Sequence, residues 1–412
     1  MTTTPIEIII YISIFLGLYF AILTLVTLFE NRKELYKKKR KDYPNVCLIV
    51  PAYNEEKTIG KTLNSFLKLD YPKNKLEIIV VDDGSRDRTF KIVDGFRKKN
   101  KELELKVFRK RNEGKYTALN LGIQNTKAEL IGTVDADSYL DSKAIKKITA
   151  YFKDPEIKAA ISTIRMDSNK GILSAIQNAE FLIGSAFIKK AFSFLGGINV
   201  VPGPLSVFRK EVFKEVGLYR DGHKTEDLEM AFRLQKRNFK IAHAVDAIVY
   251  TTPCITFKSL FKQRLRWRRG ILLNIKDYPE LLNPFKHGHL ALLLLYGLFG
   301  FSATLFISSY AIFKIINLAW GKFNHLWLIN FDFSQLLADI SFSFPNIKPI
   351  LILGFFSLLA FISYILIGKR ISFEKRSVKK DSFCFIIFYN FLSAFWWASA
   401  IYVVLFKKDI NW

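Results

Sequence analysis

The 412-residue chain has few of the residues that build disulfide-bonded or metal-bound small domains. Its three cysteines, Cys47, Cys254 and Cys384, are far apart and show no Cys-x-x-Cys spacing. This pattern argues against a disulfide framework and a zinc site, and it is typical of reduced, structural cysteines. Only His287 and His289 of the five histidines are close neighbours. Without further cysteine, histidine or acidic residues nearby, we expect no metal site there.

Acidic residues are also scarce. The chain has 37 Asp and Glu against 62 Lys and Arg, which gives a formal net charge of +25, and half of its residues are hydrophobic. A basic nucleic-acid-binding protein, which would bind DNA or RNA in a salt-sensitive way, accounts for the charge but not for the acidic clusters described below. The combination favours an integral membrane protein with basic cytoplasmic surfaces and no nucleic-acid partner.

Four apolar runs have about the twenty residues that a membrane-spanning helix needs. They cover residues 6–29, 290–318, 350–367 and 383–406. The first run has no basic leader and no small-residue cleavage site, so we interpret it as a retained anchor and not as a signal peptide.

Basic residues predict the orientation of these spans. Residues 32–41 and 368–381 are strongly basic, whereas the loop 321–349 carries little charge. This pattern puts the amino terminus outside a multi-pass cell-membrane protein and the region between spans one and two in the cytoplasm; only the basic residues 407–408 argue mildly against it. Residues 172–194 are apolar but broken by polar side chains, so we expect a buried or interfacial helix there.

Between the first two spans, short β-rich runs alternate with helical patterns. The runs are "VCLIVPAY", "LEIIVVDDG", "LELKVF", "ELIGTVDAD" and "IKAAISTI". Such alternation predicts an α/β domain with a mixed, mostly parallel sheet that is covered on both faces. We divide the chain into an anchor (1–42), a cytoplasmic domain (43–250), interfacial amphipathic helices (251–288) and three transmembrane helices (289–412).

Two acidic clusters close predicted strands, where ligands bind in such sheets. "VDADS" supplies Asp135 and Asp137 at positions i and i+2, a pattern that suits a hard divalent cation and substrate phosphates but also an ordinary helix cap. "VVDDGS" supplies Asp83, which could accept hydrogen bonds from a nucleobase or ribose. A plain strand-to-helix turn explains the same residues.

Two further segments have both a structural and a functional interpretation. Lys115 in "NEGKYTALN" begins a predicted helix and could meet a phosphate, although the P-loop spacing is absent and a solvated lysine is common. "KTEDLEM" places Thr225 as a helix N-cap with Glu226 and Asp227 in the first turn. A carboxylate poised as a general base would have the same sequence pattern.

The segment "FKQRLRWRRG" divides into faces on a helix. One side, predicted to face the cytoplasmic domain, carries Gln263, Arg266, Trp267 and Gly270. The opposite side, predicted to face lipid, carries Phe261, Leu265 and Leu272. Arg268 and Arg269 flank the apolar side and are expected to reach lipid headgroups.

Taken in order, "VPAYNEE", "VVDDGS", "NEGKYTALN", "DADS", "VPGPLSVFR", "TED" and "QRLRW" resemble the motifs of membrane-embedded processive family-2 glycosyltransferases. These enzymes include the synthases of hyaluronan, chitin, poly-N-acetylglucosamine and cellulose. The likeness covers nearly the whole chain, but the chain is shorter than cellulose synthases and shows no cyclic-dinucleotide-binding domain at its carboxyl end. The resemblance implies a GT-A-like nucleotide-sugar-binding fold.

The resemblance also implies roles for individual residues. The UDP-sugar would be held by Tyr53, Glu55, Asp83, Lys115, Asp135, Gln263, Arg264 and Arg266. The acceptor would be bound by Trp267, Gly203, Pro204 and Leu205. Asp137 would bind Mg²⁺ or Mn²⁺, and Asp227, with Glu226 beside it, would be the catalytic base.

The implied activity is inverting, metal-dependent, processive transfer of a sugar, N-acetylglucosamine or a related one, from a UDP-sugar to a growing polysaccharide, with translocation across the bilayer as a further possibility. The alternative is a single transfer to a membrane lipid carrier.

Overall fold

The computed structural model of the chain describes residues 5–37, 42–168, 170–328 and 349–407. Within these ranges, eight strands form one sheet. The strands are β1 (Val46–Ala52), β2 (Leu76–Asp82), β3 (Glu104–Arg109), β4 (Leu130–Thr133), β5 (Ser138–Leu140), β6 (Ile157–Met166), β7 (Ser206–Arg209) and β8 (Lys240–Thr251).

The sheet has the order β3-β2-β1-β4-β7-β6-β8-β5. Strands β3, β2, β1 and β4 are parallel, β7 is antiparallel to both neighbours, and β6 and β8 are parallel to each other. Every residue of β1 and β2 is buried, because two apolar clusters cover the two faces of the sheet. This confirms the predicted mixed α/β sheet with apolar strands covered on both faces.

Helices of the same region flank the sheet. They are α2 (Ile59–Leu67), α3 (Thr89–Lys99), α4 (Lys115–Gln124), α5 (Ala144–Thr149), α6 (Ile172–Phe181), α7 (Lys189–Phe194), α8 (Val212–Glu215) and α9 (Glu226–Lys236). A π-helical segment, Leu182–Ile188, joins α6 to α7.

The remaining helices are α1 (Pro5–Glu30), α10 (Phe257–Asp277), α11 (Pro284–Leu328), α12 (Pro349–Ile371) and α13 (Lys379–Leu405). In the part of the chain that the structure describes, four helices are long and apolar enough to cross a membrane: α1, α11, α12 and α13. They coincide with the four predicted runs. Their orientation stays a prediction, and residues 38–41, 329–348 and 408, which bear on it, lie outside the described residues.

The segment from α6 to α7 packs against these apolar helices. Ala175 and Leu182 share a cluster with Ile365 of α12, and Phe187 packs with Ala21 of α1. The segment does not belong to the four candidate spans. It is a helical layer between the sheet and the apolar helices, as expected for a buried or interfacial element.

Helix α10 differs from its predicted environment on one side. Its apolar residues Phe261, Leu265 and Leu272 pack against Ala400 and Val403 of α13. The prediction that this side faces lipid is therefore wrong, because the fold brings a long apolar helix to it, which the spacing within α10 alone could not indicate.

Candidate active site

A cleft of about 300 Å³ opens at the carboxyl ends of β1, β2 and β4. It is lined by Pro51, Ala52, Tyr53, Glu55, Asp83, Asn112, Gly114, Lys115, Asp135, Ala136 and Asp137. Six candidate residues from four separate motifs therefore meet in one place. They do so because parallel strands end at the same edge of the sheet and each motif directly follows a strand or begins a helix.

Asp83 forms the back of the cleft beyond β2. Its carboxylate accepts hydrogen bonds from Lys110 Nζ at 2.7 Å and from the backbone N–H of Gly114 at 3.0 Å. Gly84 follows with φ +78°, and a Cβ there would lie 2.8 Å from the Asn112 backbone nitrogen. Only glycine allows this turn and the close approach of the next loop. Asp83 is thus held rigidly by the segment that also begins α4.

Tyr53 and Glu55 form the neighbouring wall. The Tyr53 side chain is exposed, and the Glu55 carboxylate accepts a hydrogen bond from Thr58 Oγ1. Burial, only partly offset by that hydrogen bond, raises the pKa of Glu55. Both side chains face the cleft with polar groups that a bound nucleotide could reach.

Lys115 connects two motifs across the cleft. Its ammonium lies 2.7 Å from Asp135 Oδ1 and 2.8 Å from Glu226 Oε1. Burial disfavours the charged form, but the carboxylates of Asp135, Glu226 and Asp227 outweigh it, so the pKa of Lys115 is raised well above its usual range. Lys115 is therefore a permanent cation between the strand-end acids and the first turn of α9.

Gly203 lies directly against this ion pair. A Cβ at this position would be 2.6 Å from both carboxylate oxygens of Asp135 and 2.7 Å from Lys115 Nζ. The next residues differ from the expected acceptor site: Pro204 is half-buried, and Leu205 is fully buried in the core. Of the three predicted acceptor-binding residues in this loop, Gly203 is the one that lies against the Lys115–Asp135 pair of the cleft.

Asp135 and Asp137 are the residues that could hold a divalent metal ion. Burial, followed by the negative charge of Asp135, raises the pKa of Asp137, so a cation beside the pair would favour its ionised form. In the described ranges no group of three or more His, Cys, Asp or Glu side chains could hold a metal. The two carboxylates fit Mg²⁺ or Mn²⁺ when oxygen ligands from phosphate or water complete the shell.

Glu226 and Asp227 have opposite electrostatic environments at the start of α9. Burial alone would raise the pKa of Glu226, but the ion pair with Lys115 outweighs it and lowers the pKa. Burial and the neighbouring Glu226 charge instead raise the pKa of Asp227 to about 6. Two adjacent carboxylates thus have different chemistry: Glu226 stays ionised, whereas Asp227 can take up a proton near neutral pH.

The turn before α9 has an unusual backbone. Gly222, His223 and Lys224 have φ values of 53°, 57° and 66°. The left-handed region costs about 1–2 kcal/mol for each non-glycine residue. Thr225 occupies the N-cap position as predicted, but its hydroxyl donates to the Gly222 carbonyl and makes no capping hydrogen bond to α9.

The predicted inward face of α10 lies against this turn. Arg266 Nη1 donates to the Lys224 carbonyl at 2.7 Å, and a Cβ on Gly270 would lie 2.4 Å from the Thr225 side chain. The charge of Arg266 also acts to lower the pKa of Asp227, against burial and Glu226. Arg266 therefore acts electrostatically on both carboxylates at the start of α9.

None of the four motif residues of α10 is among those that line the cleft, and Gln263 and Arg264 have other partners. Arg264 is 1% exposed, forms an ion pair with Glu180 of α6, and stacks its guanidinium 4.3 Å from the centre of the Trp267 ring. Gln263 Oε1 accepts a hydrogen bond from Arg264 at 2.6 Å. These residues form a second polar group between α10 and α6, in which Arg264 stacks against the half-buried Trp267 ring.

Arg268 also differs from its predicted place. Its guanidinium lies 4.6 Å from the Trp397 ring of α13 and 3.5 Å from the Tyr389 hydroxyl, so it is directed toward α13 and not toward headgroups. Tyr389 in turn donates to Glu180 at 3.1 Å. Sequence reasoning missed Glu180 and Tyr389, although a carboxylate inside the apolar run of residues 172–194 was a signal for the first.

Comparison with known proteins agrees with this arrangement. Residues 47–217 match the model of Glycosyl transferase family 2. The matched region begins in β1 and ends after α8, so it contains the strand-end acids, Lys115 and Gly203. Glu226, Asp227 and α10 lie beyond it. This part of the chain is therefore similar to family-2 glycosyltransferase domains.

Two curated relatives extend beyond that domain. The chain is 32% identical over 243 residues to a poly-beta-1,6-N-acetyl-D-glucosamine synthase of Staphylococcus epidermidis, which is 58% of each sequence. It is 27% identical over 398 residues to the probable glycosyltransferase YdaM of Bacillus subtilis, covering 93% of this chain and 89% of the relative. The chain thus spans somewhat more than half the length of the synthase that it matches.

A solved structure has the same overall fold. The mannosyltransferase PcManGT of Pyrobaculum calidifontis, in complex with GDP-Man and Mn²⁺, superposes with a TM-score of 0.56 and 17% identity. The superposition covers 97% of this chain and all of that one. It supports a GT-A-like sheet domain joined to a helical region.

Proposed function

We propose that the chain is an inverting, metal-dependent glycosyltransferase that transfers N-acetylglucosamine from its UDP-sugar to a growing polysaccharide at the cytoplasmic face of a membrane. The observation that carries the proposal is the bridge of Lys115 between Asp135 and Glu226. It joins carboxylates suited to a metal-bound diphosphate to the first turn of α9, where Asp227 is a carboxylate of raised pKa. The match to a poly-N-acetylglucosamine synthase supports the choice of sugar.

In this proposal, the residues of the strand ends bind the donor. Asp83, Tyr53 and Glu55 would hold the uridine, because their polar groups line the same wall of the cleft. Asp135 and Asp137 would hold Mg²⁺ or Mn²⁺, which when bound offsets the negative charge of the diphosphate. Lys115 would supply a further cation at that position.

The reaction is a displacement at the anomeric carbon. Asp227 would take the proton of the acceptor hydroxyl while the hydroxyl oxygen bonds to the anomeric carbon. The bond from that carbon to the diphosphate breaks, UDP leaves with the bonding electrons, and the configuration is inverted. Arg266 and Lys115 would stabilise the charge on the departing diphosphate.

The acceptor would lie beside α10. A tryptophan ring is a suitable surface for the apolar face of a sugar, and Arg264 stacks against Trp267. We therefore propose that Arg264 and Gln263 position this ring and that Arg266 alone of the three approaches the diphosphate. The four apolar helices would hold the enzyme in the bilayer.

The test is a transfer assay on the purified full chain with radiolabelled UDP-N-acetylglucosamine. It is run with Mn²⁺, with Mg²⁺ and with a chelator, and product size is measured. Long products that require metal are expected. Addition of one sugar would favour the alternative, transfer to a lipid carrier. No incorporation from any nucleotide sugar, with Asp227→Asn indistinguishable from wild type, would end the enzymatic proposal.

A further inference from the structure

The turn at Gly222–Lys224 and helix α10 meet along a joint, defined here as the contacts of residues 222–225 with Arg266, Gly270, Asn274 and Asp277. Asn274 lies at its centre and is completely buried. Its Nδ2, which carries two hydrogens, lies within hydrogen-bond distance of three acceptors: the Gly222 carbonyl at 3.1 Å, Thr225 Oγ1 at 3.1 Å and the Gly270 carbonyl at 2.8 Å. Two of these acceptors belong to the turn that leads into α9.

The other contacts of the joint act on the same turn. Gly270 allows Thr225 to approach closely, since a Cβ would lie 2.4 Å from Thr225 side-chain atoms. Arg266 donates to the Lys224 carbonyl, and Asp277 lies 2.7 Å from His223 Nε2 at the exposed end. Three consecutive left-handed residues persist only when their surroundings hold them in place, and α10 supplies these surroundings.

We infer that Asn274 is a positioning residue that holds the left-handed turn and thereby places Glu226 and Asp227 opposite Lys115. The inference rests on the proposed function in one respect, the role of Asp227 as the base. The hydrogen bonds of the Asn274 side chain go to Gly222, Thr225 and Gly270 and not to residues that line the cleft, so its effect passes through the turn. It follows that loss of its side-chain N–H groups changes the chemical step more than donor binding.

The test compares Asn274→Ala with Asp277→Asn, which alters only the exposed end of the same joint. Asn274→Ala is expected to lower kcat by about tenfold to a hundredfold through misplacement of the base, with KM for UDP-N-acetylglucosamine changed by less than about twofold. Asp277→Asn is expected to change kcat by less than about twofold, because exposed ion pairs contribute little. Gly270→Ala, which disturbs the joint from the helix side, should reproduce the effect of Asn274→Ala.

Hydrogen exchange provides a readout that does not need activity. The backbone N–H groups of Lys224, Thr225 and Leu228, which bond within the turn and the first turn of α9, should exchange faster in Asn274→Ala and at wild-type rates in Asp277→Asn. The inference is overturned if exchange is unchanged, if kcat stays within about twofold of wild type, or if the activity lost equals the fraction of protein unfolded.

Failure of the proposed function gives a different result. If Asp227→Asn transfers sugar as well as wild type, the base is wrongly assigned whatever the Asn274 variants do. If Asp227→Asn is inactive and Asn274→Ala is normal in kcat and exchange, only the positioning role is wrong.

Discussion

Lys115 in the cleft and Arg264 of α10 are both paired with carboxylates, but they lie in different environments. Lys115 in the cleft has a side chain 37% exposed and pairs with carboxylates, so under the proposed function an incoming diphosphate would compete for it. Arg264 is 1% exposed and lies between Glu180 and two tryptophan rings. Loss of these partners would leave the buried Arg264 charge unpaired. The comparison teaches that the environment of each cation, and not the number of cations, decides which of them a ligand could reach.

The largest expected effect comes from replacing the proposed base, Asp227, on the cleft side of this comparison. Asp227→Asn keeps the shape of the side chain but cannot accept the proton, so kcat should fall by about a thousandfold. Steady-state transfer measures this loss. The matched control is Asp221→Asn, an exposed acid that pairs with Lys224, and it should keep nearly wild-type activity. A fully active Asp227→Asn would contradict the assignment.

Gly203→Ala tests whether the Lys115–Asp135 pair must be intact. The added Cβ meets the ends of two side chains, so the fold can tolerate it while the ion pair is displaced. We expect kcat/KM for the donor to fall by about tenfold to a hundredfold. The control is Gly60→Ala, whose Cβ would meet no atom within 4 Å. Wild-type donor kinetics in Gly203→Ala would show that the close approach is unimportant.

Arg264→Ala and Arg266→Ala separate the two environments on one helix. Loss of the buried Arg264 guanidinium breaks its ion pair with half-buried Glu180, which keeps only the Tyr389 hydroxyl as a partner, and should lower the free energy of unfolding by about 3 kcal/mol. Arg266 is half-exposed and bonds the Lys224 carbonyl, so its loss should change stability little. Transfer should slow, because Arg266 is proposed to stabilise the departing diphosphate. Thermal unfolding in detergent and transfer rates measure the two effects. Equal loss of stability in both variants would contradict the distinction.

Much of the fold could be predicted from local patterns. Continuous apolar strands such as β1 and β2 indicate a sheet covered on both faces, and twenty-residue apolar runs indicate the four long helices. The meeting of Asp83 with Asp135 also follows from the sequence, because the carboxyl ends of parallel strands share an edge. These features depend on periodicity or on a general rule of topology, and both are present in the sequence itself.

Contacts between distant segments could not be predicted in the same way. Helical spacing correctly puts Arg266 and Gly270 on one side of α10, but it does not show that α13 covers the opposite side or that Arg264 meets Glu180. The bridge from Lys115 to Glu226 is of the same kind, since it joins the first residues of α4 and α9, which are far apart in the sequence. Such contacts depend on the tertiary arrangement, which short motifs do not specify.

The smallest expected effect, on pH dependence, sharpens the comparison within the cleft. Burial and Glu226 raise the pKa of Asp227 to about 6, so if Asp227 is the base, as proposed, it is mostly protonated and inactive below that pH. The value of kcat/KM should therefore fall about tenfold per pH unit below pH 6 and level off above pH 7. Glu226→Gln removes the negative charge that raises the pKa of Asp227. The positive charge of Lys115, no longer offset by Glu226, then lowers the pKa of Asp227 further. The acidic limb of the pH profile should then move to lower pH, even though the rate on the plateau is reduced by the lost ion pair. A limb that stays in place in Glu226→Gln would mean that Glu226 does not set the protonation of Asp227.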